Sequence, residues 1–328
     1  MDILSIFSSV VEDFADPRKR IFVGYLALSV VLALAWLFVL RRQSFAAALH
    51  KVFDRKVLFS GSAKADYKIF VINRLITLGL SPMLITHLGI ATAVYLYLHG
   101  VDFLSRGAFA DTPTALVVAL FSVAMFVVDD FSKYLVHRWM HRWPLLWAIH
   151  QTHHSATTMT PITVYRTHPL EGILYGLRGA VAQGTTIATF LFLFGGDKVN
   201  LYTVLGANVI VFAFHITGSN LRHSHISIHY WPWLERLLIS PAQHQLHHSV
   251  AKEHYDKNFG AALAVWDWMF GSLHLSEPED KITFGLTDHA PGDEADLVDI
   301  YLRPFRDIFA WGRRRLRRLV GRLAIRRT

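Results

Sequence analysis

Histidine is concentrated in three short clusters that have the spacing of metal ligands. The clusters are His137-Arg-Trp-Met-His141, His150-Gln-Thr-His153-His154 and His244-Gln-Leu-His247-His248. Imidazole is the commonest protein ligand of transition metals, and helical positions i, i+3 and i+4 lie on one face. Each cluster can therefore direct two or three ring nitrogens to one point. Because eight nitrogens exceed the needs of one ion, the sequence predicts two metal ions close together.

Further histidines between the second and third clusters are candidates to complete the site. His223 and His225, in Leu221-Arg-His-Ser-His-Ile226, are the better candidates, and His215 at the end of an apolar segment is the next. A set of nitrogen ligands with few carboxylates suits iron, zinc, copper or nickel. The zinc-peptidase motif HExxH and the serine-hydrolase motif GxSxG do not occur in the sequence.

The first cluster continues a polar stripe on its predicted helix. Asp130, Tyr134, His137 and His141 follow one another at steps of four, three and four residues, so they share one face. A ligating imidazole usually donates its second N–H to a carboxylate or carbonyl, and Asp130 is placed to accept such a bond. A cap at the membrane interface is the equal alternative for Asp130. For the third cluster, Ser240 and Pro241 predict the N-cap and first turn of a helix.

The elements that position these clusters are predicted to be membrane helices. The chain has 328 residues, of which 52% are hydrophobic, and its charge-free run 21–40 is long enough to cross a bilayer. Four more apolar regions follow at 69–98, 114–128, 172–194 and 201–214. We therefore expect an all-α integral membrane protein with four to six transmembrane or membrane-embedded helices. A cytosolic helical cap would hold the histidine-rich dimetal site.

Basic residues predict the orientation of the chain. Residues 41–68 contain seven lysines and arginines, whereas residues 100–113 contain one. The excess of positive charge in cytosolic loops then places 41–68, 129–170 and everything after about 215 in the cytosol, with all three clusters on one face. The three basic residues at 18–20 argue mildly for the opposite side. The chain has no cysteine, which excludes disulfides and thiolate-bound metal sites.

The C-terminal tail carries much of the positive charge. Residues 312–328 contain eight arginines and no acidic residue, in a chain of net charge +8. Apolar residues alternate with these arginines, which predicts a basic amphipathic helix on anionic lipid headgroups. A solvated tail is the plain alternative, and a nucleic-acid partner is not expected. We expect an N-terminal membrane region at 1–113, a catalytic domain at 114–275, and an acidic segment with the basic tail at 276–328.

The clusters and their surroundings resemble the membrane fatty acid hydroxylase and sterol desaturase superfamily of histidine-box di-iron oxygenases. The matching motifs, in chain order, are Asp130-x3-Tyr134-x2-His137-Arg-x2-His141, His150-x2-His153-His154, Arg166-Thr-His-Pro-Leu-Glu171, Pro241-Ala-Gln-His244-Gln-Leu-His247-His248, Asn258-Phe-Gly260 and Trp266-Asp-Trp-Met-Phe-Gly271. The resemblance covers about residues 115–275 and rests on several independent motifs in the right order.

The resemblance implies an O₂-dependent membrane oxygenase with two iron ions that hydroxylates an unactivated C–H bond of a fatty acyl chain, a sterol or a related amphiphile. The implied iron ligands are His137, His141, His150, His153, His154, His244, His247 and His248, completed by His223 or His225. By the same resemblance, Asn258 and Asp267 support the site as scaffold.

Electrons must come from a separate protein such as a ferredoxin, a cytochrome or a reductase, because the chain has no haem, flavin or nicotinamide motif. A desaturase with the same centre is the first alternative function, and a zinc-dependent membrane hydrolase is the second. A metal transporter is disfavoured because the clusters lie outside the apolar segments, whereas transporters bind their cargo at the bilayer midplane.

Overall fold

The computed structural model describes residues 8, 11–80, 87–101, 105–201, 203–204, 207–277, 282–286 and 296–325. The α-helices are α1 (Val23–Ala35), α2 (Phe45–Val52), α3 (Arg55–Leu58), α4 (Gly61–Leu80), α5 (His87–His99), α6 (Thr114–Arg142), α7 (Pro144–His154), α8 (Pro169–Phe194), α9 (Val209–Ile216), α10 (Pro241–His247), α11 (Val265–Met269) and α12 (Leu297–Ile325). A π-helical turn, Trp36–Leu40, continues α1, and 3₁₀ turns lie at Pro161–Tyr165, Ser219–His223 and Lys252–His254. Strands β1 (Thr203–Val204) and β2 (Ala207–Asn208) pair antiparallel, with Thr203 opposite Asn208.

Among the described residues, three helices are long and apolar enough to cross a membrane. They are Val23–Leu40, Thr114–Arg142 and Pro169–Phe194. Only 22%, 22% and 39% of their apolar windows are buried inside the protein, so most of this apolar surface faces outward, as lipid contact requires. The prediction of an all-α integral membrane protein is therefore confirmed.

The other predicted apolar regions form shorter helices. Region 69–98 is divided between α4 and α5, and residues 81–86 between them, which include the predicted break at Pro82, lie outside the described residues. Helix α5 has 13 residues and α9 has eight, and neither reaches the length of about 20 residues that a bilayer requires. Helix α5 packs along α8, where a Cβ on Gly184 would lie 2.9 Å from the Cβ of Ile90. Glycine there permits the close approach of the two helices.

Helix α1 contacts residues 219–228 near both of its ends. Before the helix begins, the carbonyl of Arg20 accepts a hydrogen bond of 2.7 Å from Asn220 Nδ2. Near the other end, Leu37 is buried in an apolar cluster with Ile226. The helix therefore runs beside the segment that carries His223.

The C-terminal helix α12 packs on α7. Gln151 Nε2 donates to Asp307 Oδ2 at 2.6 Å, and Tyr301 OH donates to Asn73 Oδ1 at 3.0 Å. This helix begins at Leu297, well before the predicted tail, so its first half belongs to the packed structure. Its arginine-rich residues 313–318 are exposed. Of the predicted acidic segment, residues 278–281 and 287–295 lie outside the described residues.

Candidate metal centre

Helices α6 and α7 nearly join and carry the first two clusters. Trp143 alone separates them, and Pro144 occupies the first position of α7, where no backbone donor is needed. His137 and His141 lie on the last turns of α6, and the second cluster lies on the last turns of α7. The short turn folds α7 back on α6, so that the two clusters face each other.

The third cluster lies on the short helix α10, which begins with a capping box. Ser240 Oγ accepts from Gln243 N at 3.0 Å, and Gln243 Oε1 accepts from Ser240 N at 3.0 Å. Pro241 fills the first helical position. The structure thus confirms the predicted N-cap and first turn. The cap fixes the start of α10 and with it the direction of its histidines.

Within the part of the chain that the structure describes, nine histidines come together in two groups. The first group contains His137, His141, His150, His154 and His247, and the second contains His153, His223, His244 and His248. Each ring offers one nitrogen to its group, and within a group these nitrogens all lie within 4.8 Å of one another. The groups adjoin, because the rings of His154 and His248 stack with centroids 4.3 Å apart.

Both HxxHH clusters divide between the two groups in the same way. The first and last histidines of a cluster, at i and i+4, enter one group, and the histidine at i+3 enters the other. Thus His153 belongs to the second group, whereas His150 and His154 belong to the first. Likewise, His247 belongs to the first group, whereas His244 and His248 belong to the second. Neither HxxHH cluster directs all three rings to one point. Each cluster instead links the two groups.

In the first group, the Nε2 atoms point inward, and backbone carbonyls hold the opposite edge of two of the rings. Among the described residues, Nε2 has no hydrogen-bond partner in any of the five rings. On the opposite edge, Nδ1 of His137 donates to the Phe259 carbonyl at 2.8 Å, and Nδ1 of His247 donates to the Lys257 carbonyl at 2.7 Å. A backbone carbonyl behind Nδ1 fixes the tautomer whose Nε2 lone pair faces inward.

In the second group, the Nε2 atoms converge on one another. His223 Nε2 lies 3.1 Å from His153 Nε2 and 3.0 Å from His244 Nε2, and His248 Nε2 lies 3.3 Å from His244 Nε2. A neutral imidazole has only one N–H, so these four nitrogens cannot satisfy one another. A cation between them would.

Burial keeps these rings neutral. It lowers the pKa of His150 to about 3 and the pKa of His153 to about 4. Burial also lowers the pKa values of His223, His244 and His248 well below the usual range. A neutral imidazole offers a lone pair, whereas an imidazolium offers none. Unpartnered, inward, neutral nitrogens are the donor set that transition metals prefer, so the residues fit two such ions.

Glu171, at the start of α8, supplies a carboxylate to the site. Its Oε1 accepts from His150 Nδ1 at 2.9 Å, and both side chains are buried. This contact makes the carboxylate–histidine arrangement that orients metal ligands. Glu171 ends the motif Arg166-Thr-His-Pro-Leu-Glu171, but its sequence neighbours indicate no role for it. The two residues are 21 positions apart across a 3₁₀ turn, so no helical spacing connects them.

Asp130 does not hold a metal ligand, which was the first of its two possible roles. Its carboxylate accepts from the backbone N–H groups of Ala262 and Leu263 at 2.8 and 3.1 Å, and from Trp266 Nε1 at 2.9 Å. None of the described histidines donates to this carboxylate. Asp130 instead fastens the segment after Gly260 to α6.

Asp267 and Asn258 are scaffold residues, as the resemblance implied. Asp267 accepts from the N–H groups of Phe259 and Gly260 at 2.9 and 2.7 Å, and the Phe259 carbonyl in turn holds His137. Asn258 Nδ2 donates to the carbonyl of Gln243 at 3.1 Å. These bonds join the loop behind the first group to α10.

A buried ion pair supports the second group. Arg166 and Asp66 are both 0% exposed and are hydrogen-bonded to each other, and the carbonyl of Arg166 accepts from His153 Nδ1 at 3.2 Å. Asp66 lies on α4, far from the histidine clusters in sequence. A lone aspartate at the start of an apolar helix gave no signal of this role.

The structure places His223 in the site and leaves His225 and His215 outside both groups. The chain leaves the 3₁₀ turn at Ser224 in extended conformation, and His225 Nε2 then donates to the Lys51 carbonyl at 2.7 Å. His215 Nδ1 lies 2.8 Å from Ser219 Oγ. Of the ten predicted ligands, His225 is therefore the one that the fold does not bring to the others.

Cavities lined by described residues reach the histidines, and two of them bear on the site. One, of about 470 Å³, opens onto the first group beside Trp147 and Tyr255. The other, of about 230 Å³, is lined by histidines of both groups and by Glu171 and Tyr175 of α8. A molecule in the smaller cavity would contact both groups at once.

Comparison with known proteins agrees with this geometry. Residues 122–272 match the fatty acid hydroxylase family. Alkylglycerol monooxygenase of Danio rerio is 30% identical over 55% of this chain and 36% of its own length. Delta(7)-sterol 5(6)-desaturase of Eremothecium gossypii is 28% identical over 57% of this chain and 46% of its own. Ornithine lipid hydroxylase OlsE of Rhizobium tropici is 26% identical over 55% and 50%.

The chain spans half or less of the length of these relatives, and no solved structure matches it significantly. The matched family segment contains all nine histidines of the two groups, together with Glu171 and Asp267. Motifs, geometry and sequence similarity therefore all support the membrane fatty acid hydroxylase and sterol desaturase superfamily, and the similarity to the fatty acid hydroxylase family lies at residues 122–272.

Proposed function

We propose that this protein is an O₂-dependent di-iron membrane oxygenase that hydroxylates an unactivated C–H bond of a lipid. The observation that carries the proposal is the pair of adjoining groups of buried, neutral histidines inside the fatty acid hydroxylase domain. The relatives named above as a monooxygenase, a desaturase and a hydroxylase support oxidation of a lipid as the type of reaction.

The first group would hold one iron ion with up to five nitrogens, and the second group would hold the other with four. When bound, the two ions would supply the activation of O₂ that breaking a C–H bond requires, since such a bond offers no handle for acid–base catalysis. In this assignment His223 is a ligand and His225 is not.

The residues of the chain position and protect this chemistry. Glu171 and the carbonyls of Phe259, Lys257 and Arg166 hold the Nδ1 protons of four rings, which keeps each Nε2 lone pair directed inward. The cavity of about 230 Å³ would place a substrate carbon beside both groups.

The proposal extends to the domains, to the side of the membrane that the site faces and to the electron donor. Residues 114–275 would form the catalytic domain, with the membrane region 1–113 before it and the segment and tail 276–328 after it. The histidine site would face the cytosol, because basic residues concentrate in 41–68 and in the exposed part of α12. A separate ferredoxin, cytochrome or reductase would supply two electrons for each turnover.

Desaturation on the same centre is the second candidate, favoured by the similarity to the sterol desaturase of Eremothecium gossypii. The two reactions differ in the product, since hydroxylation adds one oxygen atom and desaturation removes two hydrogen atoms. Mass spectrometry of lipids from cells with and without the protein distinguishes them.

The testing experiment measures the iron content of protein purified in detergent from iron-supplemented cells. We expect two irons per chain, with lower content in His247→Ala of the first group and in His153→Ala of the second. His225→Ala is the matched control and should keep both irons. One zinc or no metal, with no O₂ uptake after iron reconstitution, would contradict the proposal.

A further inference from the structure

Two arginines line the cavity of about 230 Å³ beside the histidines. Arg222 is 5% exposed, and its Nε donates to the carbonyl of Ser219 at 3.1 Å. Arg20 Nη2 donates to the same carbonyl at 3.2 Å, while its buried Nε has no partner among the described residues. Arg222 Nη1 donates to the Ala261 carbonyl. Every acceptor of these two guanidinium groups is thus a neutral backbone oxygen.

The charges that line the cavity do not balance. Three cationic side chains, those of Arg20, Lys133 and Arg222, face one carboxylate, that of Glu171. Lys133 has its own partner, because its Nζ lies 2.6 Å from Asp129 Oδ2. Glu171 is engaged by His150 through a hydrogen bond of 2.9 Å. Among the described residues, no carboxylate lies within ion-pair distance of either arginine.

An arginine remains charged at any physiological pH, and a buried charge without a counter-charge is costly. The buried Arg222 and the half-buried Arg20 donate to the same Ser219 carbonyl, so each charge also repels the other. An anion between them would relieve both costs. The guanidinium fork suits planar carboxylate and tetrahedral phosphate oxygens, to which it donates two parallel hydrogen bonds.

We propose that Arg20 and Arg222 bind the oxyanion headgroup, a carboxylate or a phosphate, of the amphiphile on which this protein acts. The inference deepens the proposed function and rests on it. The apolar side chains of Val164 and Ala261 and the ring of Tyr175 line the same cavity, which suits the first carbons of an attached chain.

The position of the arginines also bears on which carbon reacts. The wall that carries Arg20 and Arg222 also carries histidines of both groups. A headgroup held by the arginines therefore places the carbons next to it, rather than the far end of the chain, closest to the histidines. We expect oxidation within a few bonds of the headgroup.

The test measures equilibrium binding to the iron-loaded protein in lipid nanodiscs, without turnover. The probes are radiolabelled hexadecanoate, its methyl ester, hexadecyl phosphate and inorganic phosphate. The two amphiphilic anions should bind about 10- to 100-fold more tightly than the ester, as expected for charge-assisted hydrogen bonds. Arg20→Gln and Arg222→Gln should each remove most of that difference, and the exposed Arg55→Gln should keep it.

Iron content is measured for every variant, because Arg222 adjoins His223, and Arg20→Gln gives an independent reading if Arg222→Gln does not fold. Equal binding of acid and ester, or an unchanged preference in Arg20→Gln, would overturn the inference. Inorganic phosphate that binds as tightly as hexadecyl phosphate would show a free-anion site and would also overturn it. Protein that prefers the anions but holds no iron would refute the proposed function and leave the headgroup site standing.

Discussion

The ion pair of Asp66 with Arg166 yields a quantitative prediction, because both side chains are 0% exposed. Asp66→Ala leaves the guanidinium buried without a counter-charge, although Ser62 and Ser155 still accept from it. Removal of one partner from a buried pair costs about 3–5 kcal/mol. In large domains each kcal/mol lowers Tm by about 2–4 °C, so we expect a fall of about 6–20 °C.

Thermal unfolding of detergent-solubilised protein, followed by the fluorescence of its nine tryptophans, measures this change. Asp66→Asn keeps an oxygen acceptor but no charge and should fall between wild type and Asp66→Ala. Asp16→Ala is the matched control, because the Arg18 side chain of that pair is 71% exposed and the pair should add little. If Asp66→Ala melts at the same temperature as Asp16→Ala, the reasoning about the buried charge is wrong.

A second measurement connects this pair to the histidine site. The Arg166 carbonyl holds His153 Nδ1, so displacement of Arg166 should disturb the second group more than the first. At a temperature where Asp66→Ala is still folded, we expect it to lose part of its iron. Full iron content in folded Asp66→Ala would show that the backbone holds His153 without help from the ion pair.

Two further predictions concern the site and the membrane arrangement. Glu171→Ala removes the acceptor of His150 Nδ1 and should lower metal affinity about 10- to 100-fold, measured by competition with a chelator. The control variant Glu253→Ala changes an exposed glutamate and should keep the affinity of the wild type. Equal affinity in the two variants would count against this role of Glu171. Because both ends of α1 contact residues 219–228, cysteines introduced at Lys19 and Arg41 of this cysteine-free chain should react with a membrane-impermeant maleimide from the same side. Labelling from opposite sides would show that α1 crosses the bilayer completely.

Local patterns in the sequence predicted the features that depend on neighbouring residues. The helical spacing of the first two clusters, the N-cap at Ser240 and the apolar run of α6 each depend on residues of one helix, and each is present in the structure. The motifs that carry the resemblance span about residues 115–275, and the segment that matches the family, residues 122–272, lies within them.

Contacts between distant segments could not be predicted in this way. The hydrogen bond of Glu171 to His150, the ion pair of Asp66 with Arg166, and the attachment of Asp130 to Ala262 each join separate elements. A carboxylate on an apolar helix has several possible partners, and its sequence neighbours do not select one. The choice of His223 over His225 likewise depends on where the 3₁₀ turn ends.

The sequence by itself determined that this is a helical membrane protein with histidines enough for two metal ions, because composition and helical periodicity are local properties of the chain. Only the tertiary structure decided which histidine rings belong to which of the two groups. Successive helical residues are rotated by about 100°, so the side chains at i and i+4 point about 40° apart. The side chains at i+3 and i+4 point about 100° apart. The pair at i and i+4 therefore shares one group, and packing of α6 and α10 against α7 brings the i+3 ring to the other.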